Sequence, residues 1–232
     1  MITANSQAEC RSRRIPAMQI AIIGAGNVGR ALATSLTRAG HDVTITAEHA
    51  EHAAEAASQS GATAGTSNAD AAANAQVVVL AVPAQSIGQI AGAMGSSLDG
   101  KVVIDVSNRP TPTADGLATS IAEELQGTLP SAHVVKAFNT AFASRQANAQ
   151  VAGIAPDGFV AGDDVTAKQT VLDVVESIGF RPVDAGSLAA ARTLEGMAWL
   201  NIQRNLAGGT WQDAWVLVGP ETVAAATADS RN

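Results

Sequence analysis

The chain has 232 residues, 47% of them apolar and 15% charged, with a formal net charge of −7. This allows a sizeable core in one large domain, or in one full domain plus a small one. The acidic balance excludes nucleic acid as the main partner, because phosphate backbones are held by a basic face. No apolar run has the length of a membrane span, and the one cysteine, Cys10, excludes an internal disulfide; both suit a reducing, cytoplasmic setting.

Residues 1–17 carry Arg11, Arg13 and Arg14 but no apolar centre like that of a secretion signal. They are expected to form a disordered extension, with Met18 as an alternative start. "MQIAIIG" (18–24) is an isoleucine-rich run ending at glycine, the pattern of a buried strand. Val28, Ala31, Leu32, Ser35 and Leu36 then recur at helical spacing over 27–39, and Gly40 ends the helix. "HDVTIT" is a second strand, 50–59 a second helix, and "GATAG" a short third strand. Asn68 and Asp70 are cap candidates for a small helix. Strands follow at 76–83, 101–107 and 132–139, separated by helical stretches at 84–95 and 118–127.

Alternating strands and helices, with strands that are almost continuous Val, Ile and Leu, indicate a parallel sheet covered on both faces. The pattern changes after about residue 150. "GFVAGDD" and "FRPVDAG" flank a helix at 165–178, and a longer helix runs from Leu188 to about Leu206. The last segment holds Trp199, Trp211 and Trp215, which suit a cleft wall or a subunit interface. The final ten residues are expected to fray.

Gly24-Ala25-Gly26-Asn27-Val28-Gly29 matches the dinucleotide fingerprint and sits in its required context, between a strand and a helix. Gly24 is read as the tight turn, Gly26 as the point of backbone approach to a pyrophosphate, and Gly29 as the close helix–strand contact. The expected fold is therefore an α/β Rossmann-type doubly wound sheet over 18–150, with a small C-terminal α/β extension over 151–232. Glu48 stands about 20 residues beyond the third glycine, where an acidic side chain accepts the ribose 2′-hydroxyl of NAD. Ala47 comes first in that loop and neither binds a hydroxyl nor repels a phosphate. Thr46, His49, His52 and Arg30 can hydrogen-bond the 2′-phosphate of NADP. These residues by themselves leave the choice between NADP and NAD open.

No paired catalytic carboxylates or triad stand out, and His41, His49, His52 and His133 show no metal-ligand spacing. Asp163 and Asp164 read as helix caps rather than metal ligands. Asp105 reads as a hydrogen-bonded carboxylate at a strand end. Arg192 and Glu195, three residues apart on one helix, are expected to pair with each other.

"VVKAFNTAFASRQAN" (134–148), "FVAGDDVTAKQTVLDVVESIGFRPVDAG" (159–186) and "SLAAARTLEGMAWLNI" (187–202) occur in the order found in one family. With the glycine loop and "VVVLAVP", they make the chain resemble the NADPH:coenzyme F420 oxidoreductases and their dinucleotide-binding relatives. The ferric reductase domains of some membrane proteins are more distantly similar. The resemblance implies an oxidoreductase passing hydride between NADPH and coenzyme F420, a deazaflavin, stacked in a cleft at the carboxyl ends of the strands. Orientation and water exclusion would then be the protein's main work. It implies cofactor contacts from Gly24 to Arg30, from Thr46 to His49, and from Val82, Pro83, Ala137, Asn139, Thr140 and Ala141. Members active on the deazaflavin tend to carry histidine where Asn139 stands, and NADP-binding members carry Ser-Arg where Ala47-Glu48 stand. NADPH is the expected cofactor, with NADH the alternative. Arg145, Arg181, Arg192 and Arg204 are candidates for the anionic tail of the deazaflavin. A flavin, a ferric chelate, or a small carbonyl or imine is an alternative acceptor, and a non-catalytic NAD(P) sensor is an alternative of another class. A homodimer through the long C-terminal helix is expected.

Overall fold

The structure is a computed structural model that describes residues 15–109, 119–151 and 153–219. Cys10, most of the expected N-terminal extension and the final ten residues lie outside that range. In chain order the elements are β1 (Gln19–Ile23), α1 (Asn27–Arg38), β2 (Asp42–Thr46), α2 (Ala50–Ser60), β3 (Thr63–Ala64), α3 (Asn68–Ala73), β4 (Val77–Leu80) and α4 (Ala84–Met94). They continue as β5 (Val102–Asp105), α5 (Ile121–Thr128), β6 (His133–Ala137), α6 (Ala143–Ala147), β7 (Asp157–Gly162), α7 (Val165–Ser177), β8 (Arg181–Gly186) and α8 (Ala191–Leu206).

All eight strands join one sheet in the order β3-β2-β1-β4-β5-β6-β7-β8. The first six are parallel. β7 runs antiparallel to β6, and β8 runs parallel to β7, so the C-terminal extension lengthens the first sheet rather than building another. A strand pattern reveals faces but not direction, which is why this reversal was not legible beforehand.

Side-chain alternation sorts the core into two layers. Ile20 and Ile22 of β1 face the layer of α1, α2 and α7, while Ala21 and Ile23 face that of α3, α4 and α5. Each Ile, Val or Leu so buried contributes roughly 1.5–3 kcal/mol relative to exposure. α1 forms because Ala31, Leu32, Ser35 and Leu36 stack on one buried face, and it stops before Gly40, whose φ is 91°. The small helix α3 is capped by Ser67 instead of Asn68 or Asp70. Ser67 has the extended backbone a cap needs, and its Oγ accepts from Asp70 N at 3.0 Å. α5 opens with a full capping box between Ser120 and Glu123. Beyond α8 the chain returns to the start of β7, where Asp157 N donates to Trp215 O at 2.9 Å. Trp215 thereby packs against Phe159, Ala161 and Leu194 within the chain. Trp211 packs its ring on Phe142, with centroids 5.2 Å apart. No helix among the described residues is long and apolar enough to cross a membrane.

Candidate functional site

The parallel register brings the carboxyl ends of β1, β2, β4, β5 and β6 to one edge: Ile23 is level with Thr46 and Leu80, Leu80 with Asp105, and Asp105 with Lys136. Strand order reverses beside β1, whose neighbours are β2 and β4, and such a switch point leaves a crevice. A cleft of about 640 Å³ opens there. Gly24, Ala25 and Gly26 form one wall, Ala47 and Glu48 a second, and Val82 and Pro83 a third.

The glycines divide their roles as local sterics require. Gly24 has φ 114°, and a Cβ there would lie 2.4 Å from Ala81 O. At Gly29 a Cβ would lie 1.9 Å from Gly24 O, so helix and loop approach too closely for any side chain. A Cβ on Gly26 would meet nothing within 4 Å. Gly26 is the N-cap of α1 and supplies no side-chain cap, and the first turn holds no acid. The open space and the free N–H groups of Asn27 and Val28 together fit an anionic pyrophosphate.

Other candidates are placed differently. Thr46 is buried and gives its hydroxyl to Asn68 Oδ1 at 2.6 Å. Arg30 donates Nε to Ala25 O, and its terminal nitrogens to Gln59 and Glu55, each at 2.9 Å. It braces the glycine loop against α2, and its hydrogen bond and charge hold the Glu55 carboxyl below the usual range. His49 is the N-cap of α2 and is not part of the cleft wall, whereas His52 is. Ser86, Gln89 and Ile90 line the cleft and were not anticipated. Their spacing after Pro83 sets them on one face of α4, a signal the sequence does contain.

Two strands along the edge, Ala137, Asn139 and Thr140 are buried, with Ala141 half-buried. Phe138 adopts φ 62°, unusual for a residue with a side chain, and aims this loop. Gln146 pins it by donating Nε2 to Phe138 O and Ala141 O, both at 3.0 Å. Asn139 Nδ2 donates to Asn108 Oδ1, and Asn108 Nδ2 returns to Asn139 O, both at 2.9 Å. Asn139 Oδ1 is buried without a hydrogen-bond partner.

Beneath this clamp lies a buried charge cluster that sequence reasoning missed. Lys136 Nζ donates to Asp105 Oδ2 at 2.8 Å, Ser107 O at 2.6 Å and Glu195 Oε1 at 2.9 Å. Glu195 Oε1 also accepts from Ile121 N at 2.9 Å. Burial pushes the Glu195 carboxyl above its ordinary range, against the pull of Lys136. The signal was a lysine inside an otherwise apolar strand, since a buried charge demands a partner. The expected Arg192–Glu195 pair does not form. Glu195 points inward, and Arg192 instead grips Glu123, holding that carboxyl down at about 2. Asp105 is the bonded strand-end carboxylate expected. Asp164 caps α7, and Asp163 accepts from Leu188 N instead.

The family described as NADP oxidoreductase, coenzyme F420-dependent, matches residues 19–109. The F420-dependent NADP reductase of Methanothermobacter marburgensis is 33% identical over 214 residues, which cover 82% of this chain and 93% of the relative. The chain belongs to this family. Metalloreductase STEAP3 of Rattus norvegicus is 30% identical over 185 residues, but that match spans 77% of this chain and only 36% of the relative's length. A solved structure from an Arthrobacter species, provisionally named an F420-dependent NADP reductase, is 29% identical with a TM-score of 0.79, covering 88% of this chain and all of its own.

Proposed function

We propose that the chain binds NADPH across the switch-point cleft and passes hydride between it and coenzyme F420. The observation that carries this reading is the glycine loop, packed tight at Gly24 and Gly29 and open at Gly26. The Asn27 and Val28 N–H groups hold the pyrophosphate at the positive end of α1. Ala47 and Glu48 meet the adenosine ribose. Val82 and Pro83 wall the nicotinamide side. Bound nicotinamide supplies the hydride; the chain's residues orient the two rings and exclude water. The 138–141 loop, held by Gln146, suits that task.

A second acceptor, a flavin or ferric chelate, is favoured by one observation. The four arginines proposed for a deazaflavin tail are engaged elsewhere: Arg192 with Glu123, Arg181 with Asp157, Arg204 with Asp213, and Arg145 with Gln150 O and Gln212. The purified chain should bleach the visible band of coenzyme F420 when NADPH is added. Ferric-chelate reduction with added flavin, and no F420 bleaching, would move the acceptor to the second class. Tight NADPH binding with no turnover of any acceptor would make the chain a sensor.

We further infer a homodimer through α8, on which Leu200 is 50% and Leu206 68% exposed. Sedimentation at micromolar concentration should give twice the chain mass, and a monomer would remove the inference.

A further inference from the structure

The edge of the cleft between β2 and α2 is bounded by Ala47, Glu48, His52 and, at the start of α3, Asn68. Two of the other phosphate candidates are committed elsewhere, and His49 lies outside the cleft wall. Arg30 is held by Glu55 and Gln59, and Thr46 is turned inward onto Asn68. Among the described residues lining the cleft, His52 is the one side chain that can acquire positive charge, and Glu48 is the one that carries negative charge.

NADH and NADPH differ only at the adenosine 2′ position, as a hydroxyl or a phosphate. A hydroxyl donates to a carboxylate. A phosphate dianion is repelled by it unless a neighbouring cation compensates. We propose that Glu48 and His52 make the choice between NADPH and NADH depend on pH: protonated His52 pairs with the 2′-phosphate, and neutral His52 leaves Glu48 to accept the 2′-hydroxyl. This rests on the nucleotide site proposed above.

The groups around His52 permit that behaviour. His49 lies edge-on to it with ring centroids 5.4 Å apart. From its own helix Glu51 and Glu55 contribute negative charge, and Arg30 of α1 neutralises Glu55 at 2.9 Å. Asp70 of α3 is bonded to Ser67, and α4 offers only the neutral Ser86 and Gln89. A phosphate monoester loses its second proton at about pH 6, so the 2′-phosphate is largely dianionic over the range tested below.

Binding of NADPH and NADH by the full chain, measured calorimetrically from about pH 8 to about pH 6.5, tests this. NADPH should tighten by about fivefold to tenfold over that span, since one linked proton changes affinity by at most tenfold per pH unit. It should also take up a proton, seen as a heat that varies with the buffer's ionisation enthalpy. NADH should change by less than about twofold. His52→Gln should remove the slope and the proton uptake, and Glu48→Gln should tighten NADPH and weaken NADH at about pH 8. Both positions are exposed, so the variants should fold, which a melting curve checks. An NADPH slope that survives in His52→Gln overturns the proposal. Failure of the native chain to bind either nucleotide overturns the site reading, and the proposal with it.

Discussion

Lys136→Met should destabilise the chain by about 3–5 kcal/mol, the usual cost of stranding buried charge by removing its partner. Lys136 and Asp105 are both fully buried, and Glu195 is 3% exposed, so no water replaces the lost ammonium. Methionine keeps the volume, so the loss is electrostatic rather than a cavity. Against a typical total of about 5–15 kcal/mol, such a loss would bring the melt close to working temperature. The effect should reach the site. The cluster joins β5, β6, the first turn of α5 and α8, and it lies beneath the Asn108–Asn139 clamp. Adding Glu195→Gln should recover part of the loss, because Gln retains an acceptor for Ile121 N and removes one stranded charge. A coupling of about 0.5–3 kcal/mol is expected in that double-mutant cycle. Denaturant unfolding of the four proteins measures it, and a cost below about 1 kcal/mol for Lys136→Met would show that the cluster relaxes or neutralises freely.

The second large effect separates two glycines that look equivalent in the fingerprint. Gly29→Ala places a methyl 1.9 Å from Gly24 O, so helix and loop must part. Overpacking of this kind costs about 1–3 kcal/mol of stability, and nucleotide binding should fall with it. Gly26→Ala meets no protein atom within 4 Å, and its backbone, φ −76° and ψ −171°, is open to any residue. Its stability should stay within about 0.5 kcal/mol of the native chain. NADPH affinity should nonetheless drop about tenfold or more, a loss of about 1.4 kcal/mol, because the methyl occupies the space proposed for the pyrophosphate. Paired melting curves and binding isotherms decide it. Unchanged affinity in Gly26→Ala would remove the pyrophosphate from this loop.

Much of this molecule was legible because its signals are local. The isoleucine run, the glycine loop and the helical recurrence of Leu32 and Leu36 each depend on residues within a turn or two. The observed elements accordingly fall close to where periodicity put them. Glu48 at the cleft and Asp164 as a cap belong to the same class. Local patterns name side chains that can make a contact without saying which contact wins. Arg30 looked available to a phosphate until α2 brought Glu55 and Gln59 to it from more than twenty residues away. Arg192 had a partner one helical turn along and took Glu123 on α5 instead, because Glu195 was claimed by Lys136 from β6.

By itself the sequence determined the alternating elements, the two-faced sheet and the position of the glycine loop at the switch-point crevice. These follow from backbone sterics and from the burial of apolar side chains at fixed periods. Only the tertiary structure decided the antiparallel turn into β7, the pairing of the buried charges and the commitment of Arg30 and Thr46 away from the cleft. Those outcomes depend on which distant groups become neighbours, and the strength of a charge or hydrogen bond is set by the neighbours and burial it finds there.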